Sequence, residues 1–134
     1  LILTQRFDEA RLKARQLGQY TLLEKIGEGA MGVVYRAQHA LLRRETAVKL
    51  LLPDRADPDL IHQFEREVQL TCRLTHPNTI QIYDYGHTDD GIFYYAMELL
   101  RGMTLLELIE RHGPLPEERV IHLLSQVCES LREA

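Results

Sequence analysis

No apolar run in this 134-residue chain approaches the ~18 residues that a bilayer-spanning helix needs. The N-terminus carries no basic-then-apolar signal pattern. A cytoplasmic location is therefore expected, with an anchor outside these residues left open. Cysteine is scarce. Cys72 and Cys128 form no C-x-x-C pair, and both fall in helical patterns with apolar neighbours. They are expected to be reduced thiols in the core. The six histidines (39, 62, 76, 87, 112 and 122) show no metal-ligand spacing, so no metal site made by the protein alone is expected. Lysine is rarer than arginine and occurs only at Lys13, Lys25 and Lys49. The net charge of −4 argues against a broad basic field, so no nucleic-acid partner is expected. There is no internal repeat and no low-complexity tract.

What remains is the composition of one globular domain, 45% hydrophobic and 27% charged, large enough to bury a core. Residues 1–18 are polar and mixed in charge, with Arg6, Arg11 and Arg15 spaced as on a short exposed helix that Gly18 ends. Residues 1–19 are read as a leader or linker outside the fold. Strands are expected over Tyr20–Ile26, Val33–Gln38, Thr46–Leu52, Ile80–Tyr85 and Ile92–Leu100, the last apolar enough to be covered on both faces. Asp57 followed by Pro58 marks the start of a helix that runs to about Leu74. Thr88-Asp89-Asp90-Gly91 reads as a hairpin turn. Thr104 and Glu107 fit a capping box on a short helix through Arg111, which Gly113-Pro114 stops. A last helix opens at Pro116-Glu117-Glu118, and its apolar stripe is Val120, Leu124, Val127 and Leu131. No helix stop follows that stripe, so the chain is expected to be a fragment cut inside a helix. The element order implies an α+β fold, an antiparallel sheet with one helix followed by the start of a helical region.

The most informative run is Ile26-Gly27-Glu28-Gly29-Ala30-Met31-Gly32-Val33-Val34-Tyr35, with Ala47-Val48-Lys49 after it. Glycines at G-x-G-x-x-G spacing let the backbone approach a bulky anion, and successive N–H groups can cradle phosphate oxygens. Three readings compete. A dinucleotide-binding turn needs a helix after the last glycine, but Val33-Val34-Tyr35 favours strand. A P-loop needs Gly-Lys-Ser/Thr, which is absent. A plain glycine-rich hairpin is the bland alternative, and the third reading rests on the segments that follow. Lys49 is an ammonium in an apolar strand. In the following helix, Leu60, Phe64, Val68, Thr71 and Leu74 define the buried arc, with Glu67 inside it and Glu65 outside. A buried carboxylate needs a cation, and Lys49 is the candidate.

Taken together, the chain resembles the N-terminal lobe of a eukaryotic-like serine/threonine protein kinase of the type common in bacteria. The resemblance rests on the segment 26–37, on Ala-Val-Lys at 47–49, Phe-Glu-Arg-Glu-Val at 64–68, His-Pro-Asn at 76–78 and Met-Glu-Leu-Leu at 97–100, in the family's order. It covers residues 20 to 134. It implies a five-stranded antiparallel lobe with one helix over 20–101 and the start of a helical lobe over 102–134. It also implies a reaction, transfer of the γ-phosphoryl group of ATP to protein hydroxyls, with Mg²⁺ as cofactor. Lys49 would hold the α- and β-phosphates and Glu67 would hold Lys49. Gly27, Glu28, Gly29, Ala30, Met31 and Gly32, with Val33 after them, would cover the nucleotide. Ile26, Val34 and Ala47 would sandwich the adenine, Met97 would guard the back of the pocket, and the backbones of Glu98 and Leu100 would bond the adenine edge. Ala30 stands where bacterial relatives often have glycine, outside the three key positions, so little consequence is expected. The family's His-Arg-Asp loop and Asp-Phe-Gly, which supply the catalytic base and the Mg²⁺ ligands, do not occur in these residues. The resemblance places protein substrates on the remainder of the helical lobe. This polypeptide alone is therefore expected to be inactive. Two other readings stand beside the kinase: a pseudokinase that binds nucleotide or scaffolds, and a free-standing regulatory lobe.

Overall fold

A computed structural model describes residue 12 and residues 15–134. The helix expected over residues 1–18 lies mostly outside them. Among the described residues, six strands form one sheet: β1 (Gln16–Leu17), β2 (Tyr20–Gly29), β3 (Gly32–His39), β4 (Glu45–Leu51), β5 (Ile82–His87) and β6 (Phe93–Met97). Their order across the sheet is β1-β2-β3-β4-β6-β5, and every neighbouring pair is antiparallel. Three helices among the described residues accompany it: α1 (Pro58–Thr71), α2 (Leu105–His112) and α3 (Glu117–Glu133).

Five of the strands are those the alternation marks. The sixth, β1, lies in the stretch expected to be a linker. Leu12 and Leu17 are buried in the main core, and the Leu22 N–H donates to the Arg15 carbonyl at 2.8 Å. Arg15 also donates both ways to Asp90, at 2.7 Å to each carboxylate oxygen, which ties this segment to the β5–β6 turn. The polar, mixed-charge composition of the segment concealed two leucines that the sheet needs as cover.

The side-chain period of two sorts the strands into two faces. One face carries Leu22, Val33, Tyr35, Ala37, Val48, Leu50, Ile92, Tyr94 and Ala96, which form the main core with Leu12 and Leu17. The other face packs Leu51 and Tyr95 against Phe64 and Val68 of α1, with Phe93, Met97 and Ile82 at the edge of that cluster. β6 is therefore covered on both sides, as its unbroken apolar run implied.

α1 begins where the sequence places it. The Asp57 carboxylate accepts from the Leu60 N–H at 2.8 Å, and Pro58 occupies the first turn. It stops at Thr71, short of the expected Leu74, because the Cys72 N–H still bonds back to Val68 while the Leu74 N–H closes a tighter turn on Thr71. The capping box of α2 is formed on both sides by Thr104 and Glu107. α3 docks its end on the loop after α1: Glu133 accepts from the N–H groups of Thr75 and His76 at 2.9 and 2.7 Å, and Asn78 donates to the Gln126 carbonyl at 3.3 Å. The apolar stripe Val120, Leu124, Val127 and Leu131 is exposed, and so are Leu105, Leu106 and Ile109 of α2.

Both cysteines are free and exposed rather than buried in the core. Cys72 caps the end of α1 and Cys128 rides on α3, where helical periodicity alone does not tell a covered stripe from a bare one.

Two outcomes test this description. Leu17→Ala should cost about 2–4 kcal/mol in denaturant unfolding, as for other buried leucines; a loss under about 0.5 kcal/mol, the range of surface substitutions, would return residues 16–17 to linker status. The glycines of the β2–β3 turn should differ sharply. A Cβ on Gly32, whose φ is 156°, would lie 2.2 Å from the Leu50 carbonyl oxygen, whereas one on Gly29 meets nothing within 4 Å. Gly32→Ala should therefore lose about 2–4 kcal/mol while Gly29→Ala stays within about 0.5 kcal/mol; equal losses would contradict the turn geometry.

Candidate functional site

Cross-strand register builds the site. Gly27 of β2 faces Val34 of β3, Val34 faces Lys49 of β4, Lys49 faces Tyr95 of β6, and Tyr95 faces Tyr85 of β5. Residues directly opposite one another on neighbouring strands share a face. One continuous row thus crosses five strands on the α1 side of the sheet. A second row, two residues along, consists of Arg36, Ala47, Met97 and Ile82. α1 packs on the β5–β6 end of this face, with the Phe64 and Tyr95 rings 5.1 Å apart.

At the edge of that packing Lys49 meets Glu67. Its Nζ donates to both carboxylate oxygens, at 3.1 and 3.2 Å. The side chains are 17% and 32% exposed. Glu67 therefore lies on the inner side of α1 but keeps a wet edge. Tyr95 completes the group. Its hydroxyl donates to Glu67 Oε1 at 2.7 Å, and the Lys49 Nζ stands 5.7 Å from the centre of its ring. Burial, and then the Glu67 carboxylate beside it, raise the Tyr95 phenol well above its ordinary pKa.

The glycine hairpin closes the β2–β3 end of the same row. Two register shifts, between Leu22 and Glu24 and between Lys25 and Gly27, bend β2 as it enters the turn. Glu28 is exposed and accepts from Arg55 at 2.9 Å and from Lys25 at 3.2 Å. The Arg55 hydrogen bond, followed by Lys25, holds its carboxyl below the usual range. Arg55 belongs to the segment between β4 and α1, so this contact straps the hairpin to the approach of the helix. Gly29 and Ala30 are exposed and Met31 is half-buried.

The expected site residues divide accordingly. Gly27, Val34, Ala47, Lys49, Met97 and Glu67 gather on one face. Val33 does not: it is buried in the main core on the opposite face, because it alternates with Val34. Ile26 lies at a register shift and is 48% exposed. Leu100 is 67% exposed. The Glu98 N–H donates to the Gln81 carbonyl at 2.8 Å, which leaves its carbonyl, not its amide, for an outside partner. Three residues, Tyr95, Glu65 and Tyr85, have roles here that the sequence pattern does not reveal. Tyr95 lies in the apolar strand expected to be covered on both faces, and strict alternation from Met97 puts it on the Lys49 face. Glu65, read as outside the buried arc, is half-buried and accepts from the Tyr85 hydroxyl at 2.9 Å. Burial, and then Glu65, push the Tyr85 phenol up to about 12. No group of three or more His, Cys, Asp or Glu among the described residues is arranged to hold a metal ion, and no helix among them is long and apolar enough to cross a membrane.

Comparison with known proteins sets this geometry in context. Residues 20–133 match the protein kinase domain family. The chain is 42% identical over 118 residues to the serine/threonine-protein kinase PrkC of Bacillus subtilis, covering 87% of this chain and 18% of that protein. It is 37% identical over 117 residues to the serine/threonine-protein kinase pkn3 of Myxococcus xanthus, covering 87% of this chain and 21% of the relative. Among solved structures, the kinase domain of PknI from M. tuberculosis superposes with a TM-score of 0.73 at 29% identity, covering 88% of this chain and 48% of that one. The chain thus spans about a fifth of these relatives and about half of that kinase domain. A glycine hairpin over a strand lysine, joined to a helix glutamate in a curled antiparallel sheet, sits on a match running through nearly the whole chain: it belongs to the protein kinase domain family, among the serine/threonine protein kinases.

Proposed function

We propose that residues 20–101 form the ATP-binding lobe of a kinase that transfers the γ-phosphoryl group to protein hydroxyls, with residues 102–134 opening its helical lobe. The observation that carries this reading is the Lys49–Glu67 pair on the face spanned by the glycine hairpin. Glu67 fixes the ammonium on a face where Val34 and Ala47 leave an apolar wall beside it. Lys49 would bind the α- and β-phosphates through Nζ. The backbone amides of 27–32 would close over the triphosphate from the other side. Val34 and Ala47 would pack on the adenine, Met97 would bound it at the back, and the Glu98 carbonyl would accept from its amino group. Mg²⁺, implied by the family, finds no ligand set among the described residues, and the roles assigned to these residues need no ion bound to them. A reaction that consumes ATP favours the cytoplasm. The assembled pair favours this reading over a scaffolding one, in which nothing requires a lysine and a glutamate to meet.

These residues contain neither His-Arg-Asp nor Asp-Phe-Gly, so hydroxyl activation has no base here. The 134-residue polypeptide alone should show no phosphotransfer in a radiolabel assay, and clear turnover would contradict the assignment. In a protein that carries this lobe with a complete helical lobe, Lys49→Met should lower phosphotransfer by about a hundredfold or more, the loss expected when a transition-state charge partner is removed. Glu67→Gln should cost less, about tenfold, because the amide still accepts a hydrogen bond but no longer balances the ammonium. Unchanged activity in Lys49→Met, with its unfolding midpoint preserved, would remove Lys49 from the reaction.

A further inference from the structure

The Lys49–Glu67 pair is not self-sufficient. Glu67 sits on a helix whose apolar tie to the sheet is Phe64 and Val68 on Leu51 and Tyr95, with Leu60 and Ile61 partly buried beside them. Apolar packing of this kind sets distance but is weak at fixing rotation about the helix axis or the rotamer of a long carboxylate. Two hydroxyls supply that missing direction. Tyr95 and Tyr85 are cross-strand partners on β6 and β5, and each donates to a carboxylate of α1, the two acceptors standing two positions apart: Tyr95 to Glu67 at 2.7 Å and Tyr85 to Glu65 at 2.9 Å. Tyr95 is buried and Tyr85 half-buried, so each bond is made where water competes poorly. Tyr95 is also the strand partner of Lys49 itself. One phenol thus touches the carboxylate and flanks the ammonium that this carboxylate must hold.

We infer that the Tyr95 hydroxyl, seconded by Tyr85, is the positioning device that orients Glu67 toward Lys49. It acts through Glu67 and does not touch substrate. Its value for phosphotransfer rests on the function proposed above, but its effect on the pair does not.

The scarcity of lysine makes the effect measurable in this chain. Acylation of an amine requires it to leave its carboxylate and shed a proton, so the acetylation rate of Lys49 by an N-hydroxysuccinimide ester reports how firmly Glu67 holds it. Lys13 and Lys25 serve as references in the same mass-spectrometric digest. Tyr95→Phe keeps the ring in its packing and removes only the hydroxyl. It should raise the Lys49 rate about three- to tenfold, the scale of one net hydrogen bond, with the unfolding midpoint nearly unchanged. Tyr85→Phe should raise it less. In a Glu67→Gln background, where the rate is already high, Tyr95→Phe should add nothing.

Wild-type rates in both phenylalanine variants would overturn the proposal. So would an equal increase from Tyr95→Phe with and without Glu67→Gln, because the hydroxyl would then act on Lys49 by another route. Protection of Lys49 by added ATP tests the other reading separately. No protection, together with the Tyr95→Phe increase, would leave the positioning role standing and remove the nucleotide assignment.

Discussion

The site depends on one contact between distant parts of the chain, the ion pair that joins β4 to α1. Lys49 and Glu67 are 18 residues apart and belong to different elements. At 3.1 Å and an effective dielectric of about 20, their attraction is about 5 kcal/mol. Desolvating each ion costs several kcal/mol. The two nearly cancel, so the pair is a poor source of stability. Its consequence is geometric: it holds an ammonium at a fixed place on a sheet face that is otherwise apolar.

The sheet makes this possible through register. Because directly opposed residues share a face, a single row puts Gly27, Val34, Lys49, Tyr95 and Tyr85 side by side across five strands. A slip of one residue in β4 would turn Lys49 into the main core and Val48 out of it. The core on the far face, with Leu12 and Leu17 as cover, guards against that slip. The N-terminal segment and the site are thus linked: residues remote from Lys49 help hold the register that aims it. The Arg55–Glu28 contact performs a related service for the hairpin by tying it to the segment that leads into α1.

What could be read from the sequence was what is local or periodic. The Asp57-Pro58 cap, the Thr104–Glu107 box and the two-faced β6 follow from chemistry within a few residues. The partnership of Lys49 and Glu67 was legible because helical periodicity placed a carboxylate in a buried arc, where it needs a cation, and Lys49 lies in an apolar strand. The failures share a cause as well. Leu12 and Leu17 are isolated leucines among charges, and no window marks them as core. Tyr85 and Tyr95 look like any strand aromatics until the register places them opposite one another and under α1. Val33 was counted with the hairpin by proximity in sequence, although alternation with Val34 sends it to the other face. Cys72 and Cys128 lie beside apolar positions, but whether such a stripe is covered depends on tertiary contacts that periodicity does not encode.

The most direct measurement is a structure of the chain with a non-hydrolysable ATP analogue. The account requires the Lys49 Nζ within about 3.2 Å of an α- or β-phosphate oxygen, hydrogen-bond distance, with its contact to Glu67 intact and the 27–32 backbone closed over the same triphosphate. Nucleotide bound on the opposite face of the sheet, or phosphates held with Lys49 turned away, would contradict it.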